Sequence, residues 1–565
     1  MDLPSADLLA SASRVAGGAV PRLFARGVAL SPPAPSLAGT LQHAPFALLP
    51  SAVPARAYTT AIALAPAFNA LVDAVARDGA WLRSTLAETA AGDAFTARLL
   101  ALLEDTPRQP LVLGVHRSDY MVDRGPDGLS APRLAQVEIN TISASFASLS
   151  TQLGAVHAAL LERYAGEPSV VAHLAAGAAA AAGIAAAARR GSAADAPAAV
   201  LPPSLTGLAC LPRNEALAGI AAALAQAHAV YCERHGVGER GRAPIVAMVV
   251  QPAERNVMDQ RLLEAALWDA HGVACRRTTL AELSARGRTR DADGALLLPA
   301  EQEGAEADIV AVAYFRCGYT PEDYAEEEEA CWAGRALVER SLAVKCPSVG
   351  YHLAGAKKVQ QALAMAGGVE RFLPAGEAAS LRTVFAGLWS LGAADVQGAD
   401  AGVYLQGAGA GGSSAGVQQG AGAGPLLAGP QHSASAFRDA CAHPERYVMK
   451  PQREGGGNNL YGAAIARALG PGGLSPVERS AHILMERLFP APAPVWFVRP
   501  GAAPHVQLLP AVSELGVYGV FLGDGGERAP LLNRAVGHLL RSKVDGTDEG
   551  GVAAGFAVLD SPMLV

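Results

Sequence analysis

Two continuous segments in the middle of the chain place the strongest constraint on its fold. Ile245–Val250 and Ile309–Phe315 consist only of apolar and aromatic residues, and strands that are buried on both faces show such runs. Between them, Asp259–Gly272 has the pattern of a helix that ends at a glycine. This order predicts a β-α-β unit and a separate α/β domain over residues 242–355.

Helix and strand patterns divide the rest of the chain. Residues 1 to about 110 are predicted to be helical, because apolar residues recur at a spacing of three and four. Strands are predicted at Pro110–Gly114 and Gln136–Asn140, and they dominate from about residue 440 to the end. Residues 393–435 are rich in Gly, Ala and Ser without a hydrophobic period, which predicts a disordered insertion in a surface loop.

Composition excludes several classes of protein. The chain has 565 residues, of which 51% are hydrophobic and 17% charged, so it can bury a large core and is not globally disordered. This length predicts about two to four domains. The net charge of −7 and the pI near 6.0 provide no basic surface for nucleic acid or for an anionic membrane.

Cysteine usage and hydropathy bear on the cellular location. Seven dispersed cysteines without a CxxC pair are typical of a reducing compartment. No apolar run of about 18 residues occurs outside alanine-rich tracts, and the chain does not open with a basic segment followed by an apolar one. The predicted location is the cytoplasm, with a plastid or mitochondrial copy left open, and no membrane span is predicted.

A glycine-rich segment, Lys450–Gly462, combines a cation, an acid and three consecutive glycines. The amide groups of a glycine run can form a concave site for phosphate oxygens, since no Cβ blocks close approach. Lys450 would add a positive charge for phosphate, and Glu454 would add a hard oxygen ligand suited to Mg²⁺. A flexible hairpin tip is the alternative interpretation, and the charged residues beside the glycines favour a nucleotide loop.

Two polar residues, Glu138 and Asn140, lie two positions apart on a predicted strand. Side chains at this spacing point to the same face of a strand. A carboxylate beside an amide oxygen suits a hard divalent cation that holds phosphates, and the polar face of an edge strand is the alternative. Thr141–Ser145, directly after them, supply hydroxyl and amide groups that could hold a carboxylate.

Three arginines, Arg117, Arg316 and Arg541, occur in segments that read as short polar loops. The guanidinium fork matches a carboxylate with two parallel hydrogen bonds, so together they suggest a small acidic substrate. Taken singly, each is more simply a surface or structural arginine.

Common nucleotide and nucleophile motifs are either absent or out of context. Gly236–Gly241 fits GxGxxG, but it follows a predicted helix and precedes a strand, which is the reverse of the dinucleotide-binding order. The chain has no GxxxxGK[ST] segment, and its GxSxG match, Gly412–Gly416, falls within the Gly/Ala/Ser-rich segment that has no hydrophobic period.

Seven segments, in order along the chain, resemble eukaryotic glutathione synthetases. They are EINTISASF (Glu138–Phe146), YFRCGYTPEDY (Tyr314–Tyr324), LAGAKKVQQ (Leu353–Gln361), KPQREGGGNNLYG (Lys450–Gly462), ILMER (Ile483–Arg487), SELGVYG (Ser513–Gly519), and GHLLRSK followed by GGVAAG (Gly537–Lys543 and Gly550–Gly555). The similarity begins near Ala44 and reaches the C-terminus, broken mainly by an alanine-rich segment and by the Gly/Ala insertion.

This resemblance implies an ATP-grasp ligase that acts as a homodimer. Such enzymes use ATP and Mg²⁺ to phosphorylate the C-terminal carboxylate of γ-glutamylcysteine, and the amine of glycine then attacks the acyl phosphate. Residues 1–241 would form the N-terminal part of the catalytic body, and residues 242–355 an inserted substrate-binding domain. Residues 356–565 would complete the body, with a lid at about 440–512.

The resemblance also implies a role for individual residues. The metal ligands would be Glu138, Asn140 and Glu454. The nucleotide site would comprise Glu138, Lys357, Lys450, Glu454, Gly455, Gly456, Gly457, Asn458, Asn459, Tyr461, Met485, Glu486, Arg487, Leu488, Glu514, Lys543 and Glu549. The dipeptide and acceptor sites would comprise Arg117, Ile142, Ser143, Ala144, Ser145, Glu254, Arg255, Asn256, Gln260, Arg316, Tyr319, Arg541, Val552 and Ala553. The residues expected to act on the reacting groups are Arg117, Lys357, Lys450 and Arg541.

Three departures from the family pattern are visible, and they leave alternatives. Glu549 stands where the family more often has Asp, Ala147-Ser148 replaces a common glycine pair, and the Gly/Ala insertion precedes the glycine-rich segment. A ligase for β-alanine or serine is one alternative, which the Ala553-Ala554 pair argues against because relatives that use β-alanine differ there. A catalytically silent nucleotide-binding homologue is the other, and the retained metal and phosphate residues argue against it.

Overall fold

The structure is a computed structural model of the chain. It describes residues 4–32, 39–107, 109–128, 130–176, 210–237, 243–301, 304–396, 430–452, 458–525, 529–548 and 550–565. Within these ranges the fold mixes helices and strands, so the predicted α/β class is confirmed.

The strands are numbered in chain order. They are β1 (Ala29–Leu30), β2 (Gln42–His43), β3 (Phe46–Ala47), β4 (Ser51–Val53), β5 (Val112–Asp123), β6 (Arg133–Asn140), β7 (Ile245–Val249), β8 (Cys275–Thr278), β9 (Arg288–Thr289), β10 (Leu296–Leu298), β11 (Asp308–Phe315), β12 (Val344–Cys346), β13 (Leu388–Ser390), β14 (Tyr447–Pro451), β15 (Leu460–Tyr461), β16 (His482–Glu486), β17 (Ala493–Val498), β18 (Val506–Gly523), β19 (Leu532–Val544), β20 (Ala557–Asp560) and β21 (Pro562–Leu564). The α-helices are Ala6–Ala25, Ala55–Arg77, Gly79–Gly92, Ala94–Asp105, Ala147–Arg163, Ala216–His235, Val257–His271, Leu280–Arg286, Glu328–Arg340, Val349–Ala354, Lys357–Ala364, Ala375–Arg382, Pro430–Ala442, Ala463–Leu469 and Pro476–Ser480.

A seven-stranded sheet, here called the central sheet, forms the middle of the protein. Its strand order is β17-β3-β20-β19-β18-β5-β6, and the long strands β5, β18 and β19 pair antiparallel. Successive side chains of a strand point to opposite faces. Accordingly, Tyr518 and Val520 pack into the core on one side, whereas Val517 and Phe521 pack into the core on the other. The sheet is therefore covered by apolar layers on both faces.

A six-stranded sheet contains the two apolar runs predicted as buried strands. β7 and β11 lie side by side and parallel, with β8 and β12 continuing the parallel part. The predicted helix is confirmed as Val257–His271, and Gly272 ends it in the left-handed conformation. The connection differs from the prediction, because this helix leads to β8 and the chain reaches β11 only later. β8 contains two arginines, so its sequence lacks the apolar pattern by which a buried strand is predicted.

Four short strands form a third sheet, here called the small sheet, in the order β13-β16-β14-β15. It has a core of its own, in which Trp389, Phe437, Met449 and Leu484 are buried. All of its pairings are antiparallel.

Two predicted ranges do not coincide with the helices and strands of the structure. The disordered insertion was placed at 393–435, but Val396 is buried and the helix Pro430–Ala442 packs Phe437 into the small-sheet core. Residues 397–429 lie outside the described part of the chain. The predicted lid range of about 440–512 includes β17 and the start of β18, which pair within the central sheet. These strands have similar sequence patterns, and the pattern does not indicate which sheet each strand joins.

One helix among the described residues, Ala55–Arg77, is long and apolar enough to cross a membrane by length and composition alone. It packs on strands of the central sheet, and its residues Ala61, Phe68 and Val75 are buried in the core there. In this structure it is a core helix.

A buried carboxyl group near the C-terminus predicts a pH-dependent stability. Asp560 accepts hydrogen bonds from the hydroxyls of Ser51 and Ser542, both at 2.6 Å, and burial raises its pKa to about 6. A raised pKa means that the folded protein holds the proton more tightly than the unfolded chain. Its stabilising effect is complete below about pH 4 and is lost as the pH rises to about 6.

We therefore expect the free energy of unfolding to fall by roughly 2 to 3 kcal/mol between pH 4 and 6 because of Asp560. The variant Asp560→Asn should lack this component, since both serine hydroxyls can turn to accept from the amide. Urea unfolding at several pH values measures it, with exposed Asp105→Asn as the control. Equal pH slopes for Asp560→Asn and the wild type would contradict the assignment.

Candidate active site

A cleft of about 1200 Å³, open to solvent, lies between the central sheet and the small sheet. The predicted nucleotide and catalytic residues that line it are Glu138, Lys357, Lys450, Asn459, Tyr461, Met485, Glu486, Arg487, Leu488, Glu514, Arg541 and Lys543. Further lining residues, not predicted, are Met121, Val137, Val448, Phe489, Pro490, Val512, Asp545, Gly546, Thr547, Asp548 and Gly550. The apolar members of this second set provide surface for a flat ring, and the charged members of the first provide partners for phosphate.

Some predicted residues do not contribute to the described cleft. Glu454, Gly455–Gly457 and Glu549 lie outside the described residues. Asn458 is exposed and does not line the cleft.

Two lysines and a glutamate meet at the base of the cleft. Lys357 begins the helix Lys357–Ala364, and its Nζ lies 3.0 Å from Oε2 of Glu138. Lys450 reaches from the small sheet and donates to the carbonyl oxygen of Val137 at 3.1 Å. Burial lowers the pKa of Lys450 to about 8, while Glu138 opposes the shift. Burial alone would raise the pKa of Glu138, but Lys357, Lys450 and Arg541 hold it well below its ordinary value. The group therefore presents cations beside an ionised carboxylate.

Two strand arginines form a second charged group on the central sheet. Arg117 donates from Nε and Nη2 to the two carboxylate oxygens of Asp119, at 2.7 and 2.8 Å. Arg541 contacts both Glu514 and Asp119. The prediction that Arg117 and Arg541 lie in loops was wrong, because they lie on β5 and β19. A strand that turns polar side chains toward a cleft has the same sequence pattern as a polar loop.

The segment after β6 is held in shape by one buried carboxylate. Asp259 accepts from the backbone amides of Phe146 and Ser148, at 2.9 and 2.8 Å. Arg316 donates from one nitrogen to Asp259 at 2.9 Å and to the hydroxyl of Ser145 at 3.1 Å. Phe146 has a positive φ of 73°, an unusual conformation that this bonding supports. The structure thus brings Ser145 and Arg316 together.

A third group of predicted residues lies around Glu254. Its carboxylate accepts from the amide of Asn256 at 2.6 Å and from the side chain of Gln260 at 2.7 Å. Within the described ranges, the buried side-chain oxygens of Asn256 and Gln260 have no hydrogen-bond partner. Two buried acceptors beside a carboxylate are suited to an ammonium group. Burial also raises the pKa of Tyr319 to about 12, so its hydroxyl stays protonated.

The loop that carries the predicted acceptor residues contacts this region. Arg255 donates to the carbonyl oxygen of Ala553 at 2.5 Å, and Val552 is buried. Of the predicted dipeptide and acceptor residues, Arg541 is the single one in the described chain that lines the cleft. The others lie outside the cleft. Arg117 donates to the carbonyl oxygen of Ser145 at 3.4 Å, and this bond connects them to the charged group that Arg117 forms with Asp119 and Arg541.

Sequence reasoning missed three aspartates. Asp119 stands two positions after Arg117 on the same strand, a spacing that places both side chains on one face and could have revealed the pair. Asp259 follows the helix start at Asn256 by three residues, which resembles ordinary helix capping and gave no signal. Asp548 lies in a loop, and its carbonyl oxygen accepts from Tyr461 at 3.1 Å and from Lys543 at 2.8 Å.

Comparisons with known proteins agree with this geometry. The model for the eukaryotic glutathione synthase ATP-binding domain matches residues 19–564. The chain belongs to the eukaryotic glutathione synthase family. The family is one of ATP-dependent ligases, which accounts for a charged cleft between two sheets. The resemblance seen in the sequence is confirmed.

Individual relatives cover nearly the whole chain. A protein named chloroplastic glutathione synthetase from Solanum lycopersicum is 37% identical, covering 93% of this chain and 78% of its own length. The glutathione synthetase of Homo sapiens is 35% identical, covering 96% of this chain and 95% of its own length. A glutathione synthetase-like effector from Globodera pallida, solved in its apo form, shares the fold with a TM-score of 0.65 at 19% identity, over 98% of this chain and 96% of that chain.

The contact between Tyr461 and Asp548 predicts a role for the small sheet in closing the cleft over a nucleotide. Replacing Tyr461 by Phe removes one hydrogen bond between the two sides of the cleft. We expect the KM for ATP to rise about three- to tenfold, which corresponds to about 1 kcal/mol, with little change in folding.

The matched control is Tyr447→Phe. It removes a hydroxyl of the same small sheet that donates to Asp439 at 2.9 Å, a residue that does not line the cleft. Steady-state kinetics with varied ATP measure both variants. An equal rise in KM for both, or for neither, would contradict the role assigned to Tyr461.

Proposed function

We propose that this chain joins γ-glutamylcysteine to glycine in an ATP- and Mg²⁺-dependent reaction that passes through an acyl phosphate. Family membership supports the ligase reaction, and one structural observation carries its assignment to this site. That observation is the group of Lys357, Lys450 and Arg541 around Glu138, at the point where the cleft meets the Arg117 strand.

The chemistry of the first step requires such a group. An oxygen of the dipeptide carboxylate attacks the γ-phosphorus of ATP, the bond to the bridging oxygen breaks, and ADP leaves. Negative charge accumulates on the transferred phosphoryl oxygens, and fixed cations stabilise it most where water is excluded. Lys357, Lys450 and Arg541 are the residues that supply these cations in the cleft.

The second step forms the amide. The amine of glycine attacks the carbonyl carbon of the acyl phosphate, inorganic phosphate leaves, and the amine loses a proton. The loop of Val552 and Ala553, which Arg255 holds by its carbonyl, is the proposed acceptor site. A small site favours glycine over a longer amino acid.

The residues present fit a magnesium ion. Among the described residues, no group of three or more His, Cys, Asp or Glu side chains is placed to hold a metal. Mg²⁺ usually binds through one or two carboxylates together with substrate phosphates, so it does not need such a group. Glu138 and Asn140 would hold it, together with Glu454 from outside the described residues. When bound, the ion would neutralise charge on the phosphates of ATP.

The dipeptide would bind beside the segment after β6, which Asp259 holds by hydrogen bonds. Arg316 and Ser145 suit a carboxylate, and the free acceptors of Asn256 and Gln260 suit the ammonium group of a γ-glutamyl residue. Arg117 lies between this region and the cleft, where it can guide the reacting carboxylate.

Assembly and location are also proposals. The family resemblance supports a homodimer, which light scattering after size-exclusion chromatography tests. A cytoplasmic location is proposed from the dispersed cysteines, and two relatives, from Solanum lycopersicum and Arabidopsis thaliana, are named chloroplastic. A fluorescent fusion expressed in the native cell distinguishes these compartments.

The deciding experiment measures ADP release with ATP, Mg²⁺, γ-glutamylcysteine and glycine, each omitted in turn, and with β-alanine replacing glycine once. We expect ADP only when all four are present, and weak activity with β-alanine. Equal rates with β-alanine would overturn the acceptor assignment. No ADP in any mixture would overturn the reaction.

A single substitution tests the assigned metal ligand. Glu138→Gln keeps the shape of the side chain but removes its charge, so we expect kcat to fall about 100- to 1000-fold. The Mg²⁺ concentration needed for half-maximal activity should rise as well. The control is Glu282→Gln, a residue of a helix capping box that does not line the cleft and where Gln can also cap the helix. An unchanged Mg²⁺ dependence in Glu138→Gln would contradict the assignment of Glu138 as a metal ligand.

A further inference from the structure

Two arginines of the site share one buried carboxylate, that of Asp119. Its Oδ1 accepts from Nε of Arg117 at 2.7 Å. Its Oδ2 accepts from Nη2 of Arg117 at 2.8 Å, from Nη2 of Arg541 at 3.2 Å and from the amide nitrogen of Asn140 at 3.0 Å. Asp119 is 1% exposed, so four N–H groups from three strands surround a carboxylate that is removed from water.

The sheet is built to leave room for this arrangement. On β6, Glu138 pairs with Asp119 and Asn140 pairs with Arg117. On β18, the residue that pairs with Asp119 is Gly516. A Cβ at Gly516 would lie 2.8 Å from Cδ of Arg117 and 2.8 Å from Oδ1 of Asp119. The missing side chain of Gly516 therefore gives the Arg117–Asp119 pair its space on the face of the sheet.

The balance of charge also depends on Asp119. Four cations of the site, Arg117, Lys357, Lys450 and Arg541, are accompanied by the carboxyl groups of Asp119, Glu138 and Glu514. Charges buried in the protein are screened much less than charges at the surface. Without Asp119, the guanidinium groups of Arg117 and Arg541 would repel each other and turn toward Glu138 and Glu514.

We propose that Asp119 is a positioning residue for the ligase reaction. It holds Arg117 and Arg541 in one fixed relative orientation. Arg117 donates to the carbonyl oxygen of Ser145 in the segment after β6, and Arg541 lines the cleft. Asp119 does not itself line the cleft, so it acts through the two arginines. This inference rests on the proposed function, since it assigns the arginines to the reacting carboxylate and phosphate.

The test compares Asp119→Asn with a matched buried carboxylate outside the site. Asp308 is 3% exposed and pairs with Arg276 at 2.9 Å on the six-stranded sheet, so Asp308→Asn removes a comparable charge. We expect Asp119→Asn to lower kcat/KM for γ-glutamylcysteine about 100- to 1000-fold, with the KM for ATP changed less than about fivefold. The Asp308→Asn variant should keep the wild-type kinetics even where it unfolds at a lower temperature.

A double-mutant cycle separates positioning from a general loss of stability. If Asp119 acts through Arg541, then Arg541→Lys should lower kcat/KM for γ-glutamylcysteine by a much smaller factor in the Asp119→Asn background than in the wild type, because the two residues act as a unit. In the Asp308→Asn background, Arg541→Lys should lower kcat/KM by the same factor as in the wild type. Additive effects in the Asp119→Asn background would overturn the proposal, as would full activity of Asp119→Asn.

A second variant covers the case in which Asp119→Asn does not fold. Asp119→Glu keeps the charge and moves it by one methylene, so a folded Asp119→Glu with kcat/KM reduced at least about tenfold supports positioning, and unchanged kinetics overturn it. The wild type is measured first with all substrates. An inactive wild type would overturn the ligase reaction, whereas an active wild type beside a fully active Asp119 variant would overturn this inference alone.

Discussion

The pairing of cations with carboxylates on the central sheet is the interaction on which the rest of the site depends. Removing an arginine or a lysine from water is costly unless a partner of opposite charge is in place. Here Asp119 receives four N–H groups from three strands of the sheet, and Glu138 on β6 lies against Lys357, which begins a helix. The long antiparallel strands β5, β18 and β19 are what hold these groups within contact distance. A rigid sheet therefore fixes the electrostatics before any substrate arrives.

The small sheet contacts the central sheet in a different way. Its apolar core is separate from those of the central sheet. Polar contacts across the cleft connect the two, including Lys450 with Val137, Arg133 with Glu486 and Tyr461 with Asp548. A nucleotide offers groups that can replace or reinforce such contacts, whereas it could not repack an apolar interface as readily. The arrangement suits a cleft that has to admit ATP and then exclude water from the acyl phosphate.

Much of the fold could be predicted from local pattern. The apolar runs at β7 and β11 predicted buried strands because strands covered on both faces have no polar side. The spacing of Glu138 and Asn140 predicted a shared face, and β6 places both on the central sheet. The same reasoning failed for Arg117 and Arg541, since their strands turn polar side chains toward a cleft and resemble loops. It also failed at Pro430–Ala442, where a helix follows a low-complexity segment and its apolar face shows only against the small-sheet core.

The sequence by itself determined the family, the order of the motifs and the types of residue available for phosphate, metal and carboxylate. These follow from composition and spacing within short segments, which a linear chain displays directly. The tertiary structure decided which charges pair across the strands. Arg117, Asp119, Glu514 and Arg541 come from two segments about 400 residues apart, and strand register brings them together. Ion pairing depends on distance and on burial, and both of these exist only after the strands have met.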